Sequence, residues 1–246
     1  MLDHGARSDI PVIAIGASAG GLEGCRALLK DLPDNMGAAF ILVLHLDPSH
    51  DSMMVDLLAD YTCLRVVQAA DGMILKSGHV HVIPPGVFLK VAQRKLRLSA
   101  PEDGQAVRMP FDVLLRSLAT DVGKQSGCIV LSGTGTDGTK GTAEIHHAGG
   151  LVIAQDPDEA SYPGMPQSAI SAGFVAETLP IAQIGAALQQ FLDDATADTP
   201  VTSKKPRTPA TCLFRMSGLW RIAMTTSCPI CANMLRRISR YISAAR

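Results

Sequence analysis

Four short, wholly apolar runs divide this chain: Pro11-Val12-Ile13-Ala14-Ile15, Phe40-Ile41-Leu42-Val43-Leu44, Cys128-Ile129-Val130-Leu131 and Leu151-Val152-Ile153-Ala154. Continuous rather than alternating hydrophobicity marks strands covered on both faces. The first three are each followed by a turn and then by helical spacing. Leu22, Cys25, Leu28, Leu29 and Leu32 fall on one face of a helix over 20–32, and further helices are read over 51–61 and 139–148. Strand–helix alternation of this kind requires parallel strands joined by right-handed crossovers. The expected fold is therefore α/β, a doubly wound, mostly parallel sheet with helices on both faces.

Residues 79–98 depart from that rhythm. His79-Val80-His81-Val82-Ile83 alternates, Pro84-Pro85-Gly86 makes a turn, and two short runs, 88–91 and 96–98, flank Gln93-Arg94-Lys95. This stretch reads as a small antiparallel hairpin insertion. A helix over 110–122 follows, and the last clear helix covers 180–192.

A body of this kind fits within 246 residues as one domain with an appendage. Charge separates the two. Residues 201–246 hold nine of the 22 Lys and Arg and no acid, leaving residues 1–200 with 13 basic and 23 acidic side chains. We expect a catalytic domain over 1–195, a linker over 196–211 and a basic tail of unknown role over 212–246. Tail residues such as Trp220, Arg236 and Arg237 would suit an anionic surface, but a solvated extension is the simpler reading. No apolar run reaches 18 residues, so no membrane span is expected. Met1 to Asp9 lacks the basic start and apolar middle of a signal peptide, and a cytoplasmic location is expected. Six scattered cysteines make no disulfide framework. Cys228-Pro229-Ile230-Cys231 has metal-ligand spacing, but the tail adds only Cys212, one ligand short of a structural zinc site. His79 and His81 would share a strand face without a nearby acid, and His146-His147 reads as helix-end surface. No metal site is expected.

Three strand ends carry chemistry. The first leads into Gly16-Ala17-Ser18-Ala19-Gly20-Gly21, the second into His45, and the third into Ser132-Gly133-Thr134-Gly135-Thr136-Asp137-Gly138. In a parallel sheet the carboxyl ends share one edge, where ligands bind. Ser18, His45 and Asp137 can therefore meet there as nucleophile, base and orienter. Gly16 to Gly20 also matches the strand-to-helix elbow that exposes a serine, although the order Ser, His, Asp differs from that of common α/β-hydrolases. The N–H groups of Ala19 and of the Thr134 turn are candidate oxyanion donors beside a helix N-terminus. Each part has a plainer reading. A first glycine turn is often a phosphate loop, although here Ser18 occupies the second glycine of the dinucleotide fingerprint and the Walker lysine is missing. His45 alone reads as a buried histidine, and Asp137 alone as a turn or helix cap.

At these residues the chain resembles the catalytic domain of the CheB-type protein-glutamate methylesterase family over roughly 10–195. The carriers are Ile13 to Gly21, Val43-Leu44-His45, Ile83-Pro84-Pro85-Gly86, Asp112-Val113-Leu114, Leu131 to Gly138 and Pro163-Gly164-Met165-Pro166, in the family's order. The resemblance implies demethylation of glutamate methyl esters on cytoplasmic chemoreceptor helices, with glutamine deamidation alongside in many members. It implies Ser18, His45 and Asp137 in the triad roles and neither a cofactor nor a nucleic-acid partner. Three positions depart from the family pattern: Ala19 stands where threonine is common, Thr134 where methionine is common, and Met109 where a basic residue is common. Backbone donors do not depend on those side chains. About nine residues precede the first strand, so no receiver domain is expected there. Control is then expected to be constitutive or to come from a separate signalling protein. A catalytically weak scaffold of the same fold is the alternative function.

Overall fold

The computed structural model describes residues 10–33, 35–44, 54–100 and 109–197. Nine strands and six α-helices follow one another: β1 Val12–Ala17, α1 Gly21–Asp31, β2 Ala39–Leu44, α2 Met54–Ala59, β3 Arg65–Gln68, β4 His79–Val82, β5 Phe88–Ala92, β6 Lys95–Ser99, α3 Pro110–Val122, β7 Ser126–Val130, α4 Thr139–His147, β8 Leu151–Gln155, α5 Gly164–Ser171, β9 Glu177–Leu179 and α6 Ile181–Ala197.

Seven strands form one sheet in the order β3-β4-β2-β1-β7-β8-β9, and every pairing in it is parallel. The expected doubly wound sheet is thus present, with β5 and β6 as a separate antiparallel hairpin. β1, wholly buried, supplies both faces. Its Ile13, Ile15 and Ala17 join a core with α1, α2 and α6, while Val12 and Ala14 join a second core with α3, α4, α5 and the hairpin. Alternation along a strand sends successive side chains to opposite faces, so a strand between two cores must be apolar throughout.

Several elements differ from the sequence reading. Residues 79–82 are not part of the insertion; they form β4, a parallel strand between β2 and β3. Alternating pattern misled because only one of its faces is wholly sequestered: His79 is half-buried and His81 is buried. β3, β9 and α5 were not anticipated. β3 and β9 are sheet edges of four and three residues with exposed positions. Eight-residue α5 begins in a Pro-Gly-Met-Pro run that reads as a loop. α6 passes the expected end at 192 and continues to Ala197, because no glycine or proline stops it there. The first two residues of the expected linker over 196–211 therefore lie in α6, while its remainder and the basic tail lie outside the described residues.

Two features fix the hairpin. Its turn places Gln93 and Arg94 at φ 55° and 59°, the only non-glycine residues with positive φ among those described. Asp121 on α3 accepts both of their N–H groups, at 2.6 and 2.9 Å, and Ser117 Oγ accepts the Val91 N–H at 3.0 Å.

Candidate active site

The sheet order reverses direction at β1. The chain leaves β1 toward β2 and later returns to place β7 on its other side. Loops at such a reversal splay apart and leave a crevice at the carboxyl ends of the strands. The turns after β1 and β7 meet there: the Ser18 N–H donates to the Ser132 carbonyl at 3.0 Å.

Ser18 is half-buried. Its own carbonyl accepts the Gly21 N–H at 2.9 Å, which closes the turn into α1. Among non-glycine residues the turn has no positive φ; the left-handed position is Gly20, at φ 67°, the residue that caps α1. The turn therefore differs from the strained elbow suggested by its Gly-x-Ser-x-Gly pattern, since a glycine, not the serine, takes the unusual conformation.

Gly16 and Gly133 make room for this arrangement. A Cβ on Gly16 would overlap the Phe111 ring, and one on Gly133 would stand 2.9 Å from the Ser18 Cβ and closer still to the Met165 sulfur. Ser132 ties the neighbouring loops together. Its N–H donates to Gln155 Oε1 at 2.8 Å, its hydroxyl donates to the Ala19 carbonyl at 3.0 Å, and the same Oγ accepts the Tyr162 N–H at 3.0 Å. Three strand ends, β1, β7 and β8, are thereby linked through one serine.

Asp137 is buried below this turn, and its carboxylate accepts the N–H of Phe111 at 3.0 Å and of Asp112 at 3.0 Å. These are the first-turn donors of α3, so Asp137 caps a helix distant in sequence. Asp112 in turn accepts the Gly141 N–H of α4 at 2.7 Å. Each of the two helix N-termini, with its positive dipole end, thus receives a carboxylate from the neighbourhood of the other. The cap and the triad readings of Asp137 are compatible, because carboxylate oxygens retain lone pairs beyond the two used here. Those two bonds are not its only interactions.

His45 lies outside the described residues. β2 ends at Leu44, paired in register with Ala17, immediately before Ser18. Of the expected oxyanion donors, Ala19 is half-buried and Thr134 exposed. Neither backbone N–H donates to an acceptor among the described residues. Cys25 and Cys128 do not compete as nucleophiles. Burial pushes the Cys25 thiol up to about 12 and raises that of Cys128 as well.

Away from this edge, His81 is buried with Nδ1 3.1 Å from the Phe40 carbonyl, and burial lowers its pKa. His79 stacks on it at 6.0 Å. His146 and His147 are exposed around Phe174. No group of three His, Cys, Asp or Glu is placed to hold a metal among the described residues. No helix among them is long and apolar enough to cross a membrane.

Sequence reasoning missed Ser132, Gln155 and the role of Asp112. A signal for Gln155 existed, since it is a polar residue closing an apolar strand. Ser132 and Asp112 carried none beyond their motifs, because bonds across more than 20 residues have no local pattern.

The CheB methylesterase family model matches residues 13–188. The chain is 42% identical over 139 residues to an uncharacterized 104.1 kDa protein of Rhodobacter capsulatus, covering 56% of this chain and 14% of that one. It is 33% identical over 184 residues to the protein-glutamate methylesterase FrzG of Myxococcus xanthus, covering 74% and 55%. A protein-glutamate methylesterase/protein-glutamine glutaminase of Yersinia pestis is 34% identical over 189 residues, covering 75% and 54%. The chain thus spans about half the length of these two methylesterases. The crystal structure of the Thermotoga maritima CheB methylesterase catalytic domain superposes with a TM-score of 0.67 at 30% identity, covering 73% of this chain and 97% of that one.

Proposed function

The chain belongs to the CheB methylesterase family, and from that premise we propose that it hydrolyses glutamate methyl esters of chemoreceptor cytoplasmic helices, with residues 1–195 as the catalytic unit. The observation that carries this reading is the bond from the Ser18 N–H to the Ser132 carbonyl, which joins the serine turn to the turn bearing Asp137.

In this mechanism Ser18 Oγ attacks the ester carbonyl while His45 takes its proton. The N–H groups of Ala19 and Thr134, free of acceptors among the described residues, receive the oxyanion, each worth about 3–4 kcal/mol in such sites. Collapse expels methanol, to which His45 returns the proton. Water then hydrolyses the acyl-serine, leaving a glutamate carboxylate. Asp137, held by the α3 N-terminus, orients His45 and stabilises its cation. A receptor glutamine would pass through the same acyl-serine with ammonia as leaving group, which is the proposed deamidation. No metal or cofactor takes part, the site acts in the cytoplasm, and its activity is either constitutive or governed by a separate signalling protein.

The test is methanol release from a methylated receptor fragment. Ser18→Ala abolishes it while the circular-dichroism spectrum and melting temperature stay native. Release at the parent rate would overturn the triad. Labelling by a fluorophosphonate probe that requires His45 is the companion result; a well-folded chain that takes no label would favour the scaffold reading.

A further inference from the structure

Aromatic residues make up only 4% of this chain, and one of them stands half in solvent beside the serine turn. Tyr162 is 47% exposed. The other large exposed apolar residues described have partners or positions elsewhere. Tyr61 lies under the Arg26 guanidinium at 4.9 Å, and Ile74 bridges to Lys95 on the hairpin.

Tyr162 is held at both of its backbone polar groups. Its N–H donates to Ser132 Oγ at 3.0 Å and its carbonyl accepts the Gly133 N–H at 2.9 Å. Both partners belong to the turn that bonds Ser18. The ring rests on Gly20, two residues past Ser18: a Cβ there would meet the ring Cδ2 at 2.9 Å and the Ser161 Cβ at 3.0 Å. One ring edge is therefore packed against the serine turn, and the remainder is left to water. The phenol makes no hydrogen bond within the described residues, so the ring is positioned by its packing on Gly20 and by the two backbone bonds. A ring with only two rotatable bonds, on a backbone already fixed, loses little entropy on making a contact. Ring surface that a bound partner covers is removed from water, which favours binding in proportion to the apolar area covered.

We infer that Tyr162 is a substrate-contact residue whose exposed ring packs against the polypeptide carrying the ester. The inference rests on Ser18 being the nucleophile and deepens it. The ring recognises the chain around the ester, so it separates an ester on a folded helix from a small soluble ester.

The full-length chain is assayed on two substrates, a methylated receptor fragment and p-nitrophenyl acetate. Tyr162→Ala is expected to lower kcat/KM on the fragment, mainly through KM, by about tenfold more than on the small ester, and Tyr162→Phe to stay within about threefold of the parent on both. In a Ser18→Ala background, Tyr162→Ala is expected to weaken binding of the labelled fragment by about tenfold, read by fluorescence anisotropy. Equal losses on the two substrates would make the ring structural only and overturn the inference, as would unchanged binding. Hydrolysis that persists in Ser18→Ala would instead defeat the nucleophile assignment, and the binding contrast would still decide the role of Tyr162.

Discussion

Replacing Gly133 by alanine tests whether the spacing of the two turns matters to turnover. Gly133 does not have a positive φ, so the change adds volume without backbone strain. The added Cβ stands 2.9 Å from the Ser18 Cβ, against at least 3.4 Å for an ordinary contact, and also overlaps the Met165 sulfur. Met165 has a flexible thioether that can swing aside. Ser18 Cβ cannot, because its backbone is bonded on both sides to Ser132 and Gly21. The turn must open by about 0.5 Å, and since a 1 Å misplacement costs about 10²-fold, a loss of about tenfold in kcat/KM follows. That is about 1.4 kcal/mol of transition-state stabilisation. Overpacking also lowers stability by about 1–3 kcal/mol. The assay is methanol release per folded molecule, with folding measured by urea denaturation of the same samples. Gly24→Ala is the control: in mid-helix α1 its Cβ meets nothing nearer than 3.5 Å, so it gains about 0.5–1 kcal/mol of stability and keeps parent activity. Parent-level turnover in folded Gly133→Ala would refute the claim that close contact of the turns positions Ser18.

Asp137→Ala strands two buried N–H donors at the start of α3, so its urea midpoint falls by the equivalent of about 2–5 kcal/mol, beyond its effect on turnover. Asp112→Ala strands one, the Gly141 N–H, and costs about 1–3 kcal/mol, read the same way. Gln93→Gly relieves a left-handed non-glycine residue while the bond to Asp121 is kept, and raises stability by about 1 kcal/mol in thermal melts. His81 is held neutral by burial, so its folded pKa lies below its unfolded value near 6.5. The unfolded chain then binds the extra proton as pH falls, and stability is lost below about pH 6.5 at up to about 1.4 kcal/mol per pH unit. His81→Gln is expected to flatten the difference in urea midpoint between pH 7.5 and 5.5; an unchanged difference would assign that slope to other groups.

The central strands were legible because burial on both faces leaves a chemical mark that needs no partner to be read. Val12 to Ile15 and Phe40 to Leu44 could hardly be anything else. β4 was misassigned since two histidines broke its apolar run, and one of them proved to be a buried residue bonded to a carbonyl. Edge strands β3 and β9 are short and half-exposed, so their pattern matches that of loops. At the site, the meeting of the turns after β1 and β7 could be inferred, since parallel topology alone brings strand ends together. What escaped was the fastening: Ser132 to Tyr162, Asp137 to α3 and Asp112 to α4 are contacts between distant segments. Sequence spacing carries no trace of them.

Helix α3 links two places that the chain otherwise keeps apart. Its first turn is gripped by Asp137, and its last turn, through Asp121, grips the hairpin tip, where Arg94 also reaches the Ile10 carbonyl and Gln125. Thirteen residues of helix make a strut of about 20 Å, stiff along its axis. The hairpin tip and the Asp137 carboxylate are thus joined through one regular element rather than through a loop, and any shift of the helix along its axis would move both ends together.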